Sequence, residues 1–438
     1  MLSVRIEMKI LNFQPSCRGD RRSIFRRTIR LTMFIVAGTL LLRPWASAAS
    51  VDASTLDGKM ISGYQGWFAC PRDSPWHSWV HWKDAHQSAT VDLLPDVSEL
   101  DGSELCDSGW TAKNGKPVEL FSSQNSQTVD RHFAWMENYG LDGIALQKFA
   151  TTLLHSETNK VSDTVLANVR AGAEKHGRVY FLMYDLSGMP TDALALVVED
   201  WRRLLSGGIT DDHGYLRHRG HPILGVWGIG FADRDLSPEI VDVFLKELRR
   251  VSAIRGGVTL LGGVPAGWRK GEGDASANSG WSRIWPELDV ISPWTVGRYH
   301  DDDSADKYRD DTLKPDFAFS QSLGLDYMPV VFPGFTWSNL MRARQQDARA
   351  IPDQIPRRCG AFYSHQLSNA VSSGAKMLYT AMFDELDEGT AIFKVATDPD
   401  KLPSYPSFVL PDVNGCRNES DMYLKLAGRV DQMLHRTK

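Results

Sequence analysis

The stretch Ala375–Lys394 reads AKMLYTAMFDELDEGTAIFK. It opens as a short apolar strand with Met377, Leu378, Tyr379, Met382 and Phe383. It then breaks into Asp384, Glu385, Asp387 and Glu388 and closes on Gly389-Thr390. A buried strand that ends in carboxylates is costly unless those groups are paired or used. Glu385 and Glu388 both face one cavity if the chain turns between them. Paired carboxylates suit glycoside hydrolysis, where one protonates the leaving oxygen and the other handles developing positive charge. The competing reading is an acid-rich, solvated turn.

Working outward, seven more segments read as buried strands bounded by turn signals. They are Lys59–Phe68, Leu141–Phe149, Arg178–Leu186, His221–Phe231, Gly257–Pro265, Leu288–Trp294 and Tyr327–Phe332, with Lys376–Phe383 as the eighth. Helical patterns lie between them, at Thr128–Tyr139, Val161–His176, Thr191–Leu205, Pro238–Val251, Ser304–Leu323, Cys359–Ser373 and Asp421–Leu434. Gly177, Gly324 and Gly374 close three of these, and Ser237-Pro238-Glu239 opens one with a cap and a proline. Continuous apolar strands separated by helices mean a parallel sheet. Eight such units predict an α/β fold, a single (β/α)₈ TIM barrel with long βα loops. A doubly wound open sheet would carry a Gly-rich phosphate loop after its first strand. Here Gly63-Tyr64-Gln65-Gly66-Trp67-Phe68 lacks that spacing.

The first 49 residues belong to another class. Arg18, Arg21, Arg22, Arg26, Arg27 and Arg30 form a basic region before Leu31–Leu42, an apolar region of 12 residues, and Ala46-Ser47-Ala48 is a small-residue cleavage site. This predicts a signal peptide over 1–49, too short to anchor in a bilayer, an exported protein, and one catalytic domain over 50–438. Residues 1–48 hold nine Lys/Arg and two Asp/Glu, so the remainder has 40 basic and 52 acidic side chains and a net charge of −12. That balance argues against nucleic acid and anionic membranes as partners. Cys70, Cys106, Cys359 and Cys416 remain, an even number for an oxidising compartment. Four cysteines allow three pairings, and proximity alone favours Cys70–Cys106 and Cys359–Cys416. Oligomeric state is left open.

In a barrel of this kind, chemistry collects at the C-terminal ends of the strands. Those ends supply Tyr64, Gln65, Trp67, Gln147, Lys148, Tyr184, Asp185, Trp227, Trp294, Arg298 and Trp337. Aromatic faces beside amides, hydroxyls and carboxylates describe a carbohydrate cleft. The expected substrate-binding set is Tyr64, Trp67, Gln147, Tyr184, Asp185, Trp227, Trp294 and Trp337, with the four tryptophans lining one cleft. Strands four and seven end without a carboxylate, so strand eight holds the close pair, and Asp185 is a helper candidate. Asp384 and Asp387 crowd that pair, so one of them should turn away or meet a cation such as Lys148 or Arg298.

Other chemistries fit less well. His77 and His81 in WHSWVHW lack the glutamate of an HEXXH zinc site, which leaves sugar stacking or loop packing for that run. His300–Asp303 and Asp306 lack the spacing and glycine of a calcium loop. Ser122, Ser123 and Ser187 have no GxSxG context. No metal or cofactor is expected.

At GYQGWF, LDGIALQKF and FDELDEGTAIFK together, the chain resembles glycoside hydrolase families 71 and 99, across most of Lys59–Lys394. The family 99 motif after strand eight reads approximately N-E-W-x-E-G-T. Glu385 and Glu388 match its two glutamates, while Asp384 and Leu386 stand where it has asparagine and tryptophan. The resemblance implies an endo-acting, retaining α-mannosidase or α-glucanase that works through neighbouring-group participation. Glu385 would act as base on the sugar 2-hydroxyl, and Glu388 as general acid and then base. The alternatives are an exo-acting xylosidase or arabinosidase, or a glycan-binding protein on a catalytically dead barrel.

Overall fold

The computed structural model describes residues 50–412, 416 and 419–435, so the segment read as a signal peptide lies outside the described residues. Eight parallel strands follow one another around a ring. They are β1 (Met60–Tyr64), β2 (Gly143–Phe149), β3 (Val179–Asp185), β4 (His221–Trp227), β5 (Thr259–Pro265), β6 (Val290–Trp294), β7 (Asp326–Tyr327 and Val330–Val331) and β8 (Leu378–Thr380). Each pairs with its neighbours in sequence, and β8 pairs with β1 through Met60↔Leu378, Ile61↔Tyr379 and Ser62↔Thr380. The chain is a (β/α)₈ barrel.

The seventh strand departs from its predicted continuous form. Its first half pairs with β6 and its second with β8. Between them lie Met328 and Pro329. Proline has no N–H for a ladder, which breaks an interior strand. The break is bridged on both sides, because Met328 N–H donates to Ile291 and Pro329 C=O accepts from Tyr379 N–H at 2.9 Å each.

The helices are α1 (Ser126–Tyr139), α2 (Ser156–His176), α3 (Leu194–Ser206), α4 (Pro238–Ser252), α5 (Asp302–Tyr308), α6 (Lys314–Ser322), α7 (Ser338–Ala343), α8 (Ala361–Ser372) and α9 (Met422–His435). Ser237 caps α4 and Gly140 and Gly177 close α1 and α2 in the left-handed conformation. Between β5 and β6 short 3₁₀ turns replace a full helix, and Trp281 stacks on Trp285 there. The helix predicted over Ser304–Leu323 is interrupted by one π-turn, Arg309–Leu313, just before Pro315. The long loop after β1 carries an antiparallel hairpin, Leu105–Thr111 against Pro117–Phe121, that the sequence reading missed. The Cys70–Cys106 disulfide ties this hairpin to the chain leaving β1, and the second disulfide is Cys359–Cys416. Both pairings match the expectation from proximity. No helix among the described residues is long and apolar enough to cross a membrane.

Strand alternation sends Lys148 and its register partner Tyr184 outward, into the helix layer. Lys148 is buried and meets Asp200 of α3 at 2.8 Å and Asp163 of α2 at 3.0 Å. The Tyr184 hydroxyl donates to the same Asp200 at 2.7 Å. Lys148 is thus spent on joining two helices to the barrel and is not a partner for the acids after β8. Lys148→Ala removes the buried cation of Asp200 but leaves it Arg203 at 2.6 Å and the Tyr184 hydroxyl, so it should cost on the order of 2 kcal/mol. Urea unfolding should show this as a lowered midpoint, with Asp163→Asn far milder because Asp163 is half-buried. Equal effects would contradict the buried-pair account.

Candidate active site

After Thr380 the chain crosses a cis Ala381–Met382 peptide and turns back over the barrel mouth. Phe383 N–H donates to Gly63 at 2.7 Å, tying the segment to β1. Gly389 N–H then donates to Leu386, and Ala391 N–H to Glu385 C=O at 2.8 Å. Gly389 has φ +62°, and a Cβ there would lie 2.3 Å from Thr336 Cγ2. Only glycine fits that approach. Thr336 N–H donates to Glu388 C=O at 2.9 Å. From behind, the buried Arg357 donates to the carbonyls of Gly389 and Ala391, both at 2.7 Å. The acid-rich turn is therefore a built loop, not a solvated one.

Each acid has a different environment. Asp384 is wholly buried and accepts two main-chain donors, Gln65 N–H and Gly66 N–H, both at 2.8 Å. Burial lifts it to about 7, against those two bonds, and Asp387 adds to the lift. Glu385 accepts from Gln65 Nε2 at 3.3 Å and from Thr390 Oγ1 at 3.0 Å. Burial raises it well above the carboxylate range, and the charges of Glu388 and Asp387 raise it further. Glu388 is half-buried; burial and the Asp387 charge bring it to about 7, with Arg344 opposing. Asp387 is buried, with Oδ2 2.7 Å from His81 Nδ1. The sequence reading expects a raised Glu388 beside an ionised Glu385. In the structure burial acts on both, and more strongly on Glu385.

The expected cations are elsewhere. Arg298 pairs with Asp274 at 2.7 Å, and Lys148 is held by α2 and α3. Asp387 takes His81 instead, and Asp384 takes backbone donors. Neither choice is visible locally in sequence, because the partners lie about 300 residues away. Arg357, which holds the loop from behind, was also missed.

The aromatic set divides. Gln147, Asp185, Trp227 and Trp294 face the barrel interior, as strand alternation and register require. Trp227 and Trp294 meet edge to face at 5.5 Å, and Trp294 lies 6.5 Å from Tyr379. The Tyr379 hydroxyl accepts from Gln147 Nε2 at 3.2 Å. Asp185 accepts from Ser187 N–H at 2.8 Å, and its carboxyl is raised by burial. Gly263 lets the Trp227 indole lie flat across it, since a Cβ would fall 2.3 Å from Trp227 Cδ1. Trp67 stacks on His81 at 3.9 Å with ring planes 5° apart. Trp337 packs on Phe335 and under Arg349, just after Thr336, whose N–H bonds Glu388.

Tyr64 and Tyr184 do not join them. Both are fully buried and face helices: Tyr64 bonds His132 of α1 at 2.8 Å, and Tyr184 bonds Asp200 of α3. Alternation decides this, because each is one residue out of phase with the interior positions. His77 is exposed and apart from His81's bond to Asp387. Among the described residues, the donor cluster that could hold a metal without a disulfide is Asp142, Asp431 and His435, at the N-terminal ends of the strands. There Asp431 already accepts from Met60 N–H at 2.8 Å and Asp142 N–H at 2.9 Å.

Fold and site together define a closed (β/α)₈ barrel with a buried carboxylate cluster at the end of its last strand. No family model matches the chain, and no curated protein matches it. Among solved structures it is similar to the GH99 endo-α-mannosidase from Bacteroides thetaiotaomicron, at TM-score 0.61 and 14% identity over 88% of this chain and 100% of that one. The same enzyme in complex with bis-tris propane gives TM-score 0.60 and 14% identity over 87% and 99%. The likeness is one of fold, and it agrees with the family 99 side of the sequence resemblance.

The raised Glu388 makes stability depend on pH. An unfolded glutamate titrates near ~4.3, and the folded one near about 7. Between those values the folded chain keeps a proton that the unfolded chain has lost. Its contribution is therefore full below about pH 4 and is lost as pH rises through about 7. Glu388→Gln removes this liability. Thermal unfolding should find the variant more stable than wild type at pH 8, by on the order of 2 kcal/mol, with the gap closing near pH 4. A gap independent of pH would contradict the assignment.

Proposed function

We propose that this chain is an exported glycoside hydrolase, retaining and endo-acting on an α-linked polysaccharide of the α-mannan or α-glucan type. The observation that carries the reading is the pair Glu385 and Glu388. Burial lifts both, with Glu388 and Asp387 adding to Glu385 and Asp387 to Glu388, and both follow the last barrel strand, whose Tyr379 lies 6.5 Å from the inward-facing Trp294. The fold likeness to an endo-α-mannosidase supports the endo and α assignments. The leader-like segment 1–49 and the two disulfides support export.

Two close carboxyls that repel in the ionised form hold one proton between them. The active form is the singly protonated one with the proton on Glu388, a form the substrate must select, because burial raises Glu385 more strongly in the free protein. Glu388 is half-buried and open to the leaving oxygen and to water. Glu385 is deeper and accepts two neutral donors, which favour its carboxylate once a substrate hydroxyl arrives. In the first step Glu385 takes the proton from the sugar 2-hydroxyl, and that oxygen attacks C1. The glycosidic bond breaks, and Glu388 gives its proton to the departing oxygen. In the second step water attacks C1 of the 1,2-anhydro sugar. Glu388 takes the water's proton, and Glu385 returns its own to O2. Asp185, Trp227, Trp294, Trp67, Trp337 and Gln147 form the surrounding cleft.

Reducing-end detection over a polysaccharide panel identifies the substrate, and variants then test the roles. Glu388→Gln should lose at least ~100-fold on substrates with poor leaving groups and less on activated aryl glycosides. Glu385→Gln should be damaging on both. A substrate lacking its 2-hydroxyl should be inert. The alkaline limb of kcat/KM should fall near pH 7, where Glu388 loses its proton. Turnover of the 2-deoxy substrate would remove the mechanism. N-terminal sequencing of the exported form should begin at Ala49 or Ser50, and retention of Leu31–Leu42 would overturn export.

A further inference from the structure

Beside the carboxylate loop lies a cavity of about 300 Å³, between the chain leaving β1, the end of β2 and the start of α2. At the lower end of ligand-pocket sizes, it has room for one or two sugar rings, not a long chain. Gln65, Trp67 and His81 form its end nearest the acids, and the exposed Trp76 stands at its rim.

That end is polar and incompletely bonded. Gln65 is 8% exposed; its Nε2 is committed to Glu385, while its buried Oε1 has no hydrogen-bond partner. The Trp67 indole Nε1 is also buried without a partner. Buried polar atoms of this kind are costly unless a ligand completes them. His81 is fixed in orientation from both sides, by Asp387 at Nδ1 and by the Trp67 ring at its face. Its Nε2 is the ring nitrogen not engaged by Asp387. An acceptor, a donor and a ring nitrogen are therefore set on one edge.

Most of the remaining lining is apolar, Val80, Leu146, Phe149, Val161 and Val165, with Phe149 stacked against the Trp67 ring at 5.4 Å. Of the polar groups among them, Thr152 donates to Phe149 C=O at 2.7 Å, Thr158 to Thr152 C=O at 2.6 Å and Gln147 Nε2 to the Tyr379 hydroxyl at 3.2 Å, while Thr151 and Ser162 complete the lining. A sugar hydroxyl pushed against such a wall loses its water without replacement. A negatively charged sugar is disfavoured as well, because Gln65 and His81 hold the cavity directly against Glu385 and Asp387.

We propose that this cavity is a subsite for one neutral 6-deoxyhexose residue of the polysaccharide. Its ring hydroxyls meet Gln65, Trp67 and His81, and its C6 methyl meets the valine and leucine wall. The assignment rests on the glycoside hydrolase reading for the identity of the polymer, but binding tests it separately from turnover.

The test is ligand-observed saturation-transfer NMR on the mature chain. The probes are methyl pyranosides of the manno, gluco and galacto series, in D and L forms, each as the 6-hydroxy, 6-deoxy and 6-carboxylate compound. In at least one series the 6-deoxy compound should bind about tenfold tighter than its 6-hydroxy parent, and the carboxylate should not bind. Glu388→Gln should keep that binding. Ser162→Phe should abolish it by filling the cavity from α2, and Val161→Phe should do the same. Thermal unfolding of both variants shows whether they are folded. A tighter 6-hydroxy or carboxylate compound, or unchanged binding in folded variants of both kinds, would overturn the subsite. Polysaccharide turnover without a 6-deoxy preference removes the subsite and leaves the hydrolase reading standing. A 6-deoxy preference in a protein that cleaves no glycan does the reverse.

Discussion

The site is built on the backbone bonds of one carboxylate, Asp384. Asp384 receives the N–H groups of Gln65 and Gly66, the first two residues beyond β1. With Phe383 N–H on Gly63, these bonds fix the end of β8 to the end of β1. Everything at the mouth is referred to that joint. Gln65 is turned so that its amide reaches Glu385, and Trp67 is carried to where His81 can stack on it. His81 in turn reaches Asp387. A chain of contacts thus runs out from the joint and returns to the same acidic loop. A side-chain amide at position 384 could not accept both N–H groups in the same way, since it offers one oxygen.

Packing four acids into five residues is unfavourable for folding, and the structure offsets it with dipoles more than with ions. Asp384 and Glu385 are met by N–H and O–H donors, and His81 serves Asp387. The one buried arginine close behind the loop, Arg357, spends its bonds on the carbonyls of Gly389 and Ala391. It braces the turn without contacting a carboxylate. A full cation against Glu385 or Glu388 would have pulled both down and fixed them ionised. Neutral donors leave burial and the charges within the loop, Asp387 foremost for Glu388, in command, which is why the glutamates sit high. Such a site is stored at the expense of stability, as functional sites commonly are.

The periodicities carried most of the fold. All eight strands stood within a few residues of the predicted runs, because barrel strands are buried on both faces and read as apolar blocks. The seventh failed at Pro329, a residue whose consequence was legible and was passed over. The hairpin after β1 was missed because its residues alternate weakly around Gly109 and Gly115. At the site, strand ends were found and strand phase was not. Tyr64 and Tyr184 share the ends with Gln147 and Asp185, yet their side chains leave through the opposite face. Counting in twos from Lys148 would have fixed the phase of β2, but only the Lys148↔Tyr184 register, which forms with the sheet, carries that phase to Tyr184. The pairings His81–Asp387 and Gln65–Asp384 could not be counted at all, because no local rule links positions that meet only when the ring closes.

Ring closure also explains why the acids follow β8 rather than an earlier strand. β8 is the shortest continuous barrel strand, with only Leu378–Thr380 in the ladder. The residues beyond it are free of sheet bonding earlier and fold inward over the mouth. The segment closes on itself, Ala391 N–H donating to Glu385 C=O and Phe393 N–H to Phe383 C=O, and the β7 loop adds a bond from Thr336 N–H to Glu388 C=O. The β7 loop is itself pinned by Asp92, which accepts from Ser338 and Asn339 N–H at 2.6 and 2.7 Å. Asp92 belongs to the long loop after β1. The loops after the first, seventh and last strands thus hold one another, and the acids sit at their common seam. A carboxylate pair after a mid-ring strand such as β4 would lack this support, since its neighbours β3 and β5 do not bring the chain's two ends together.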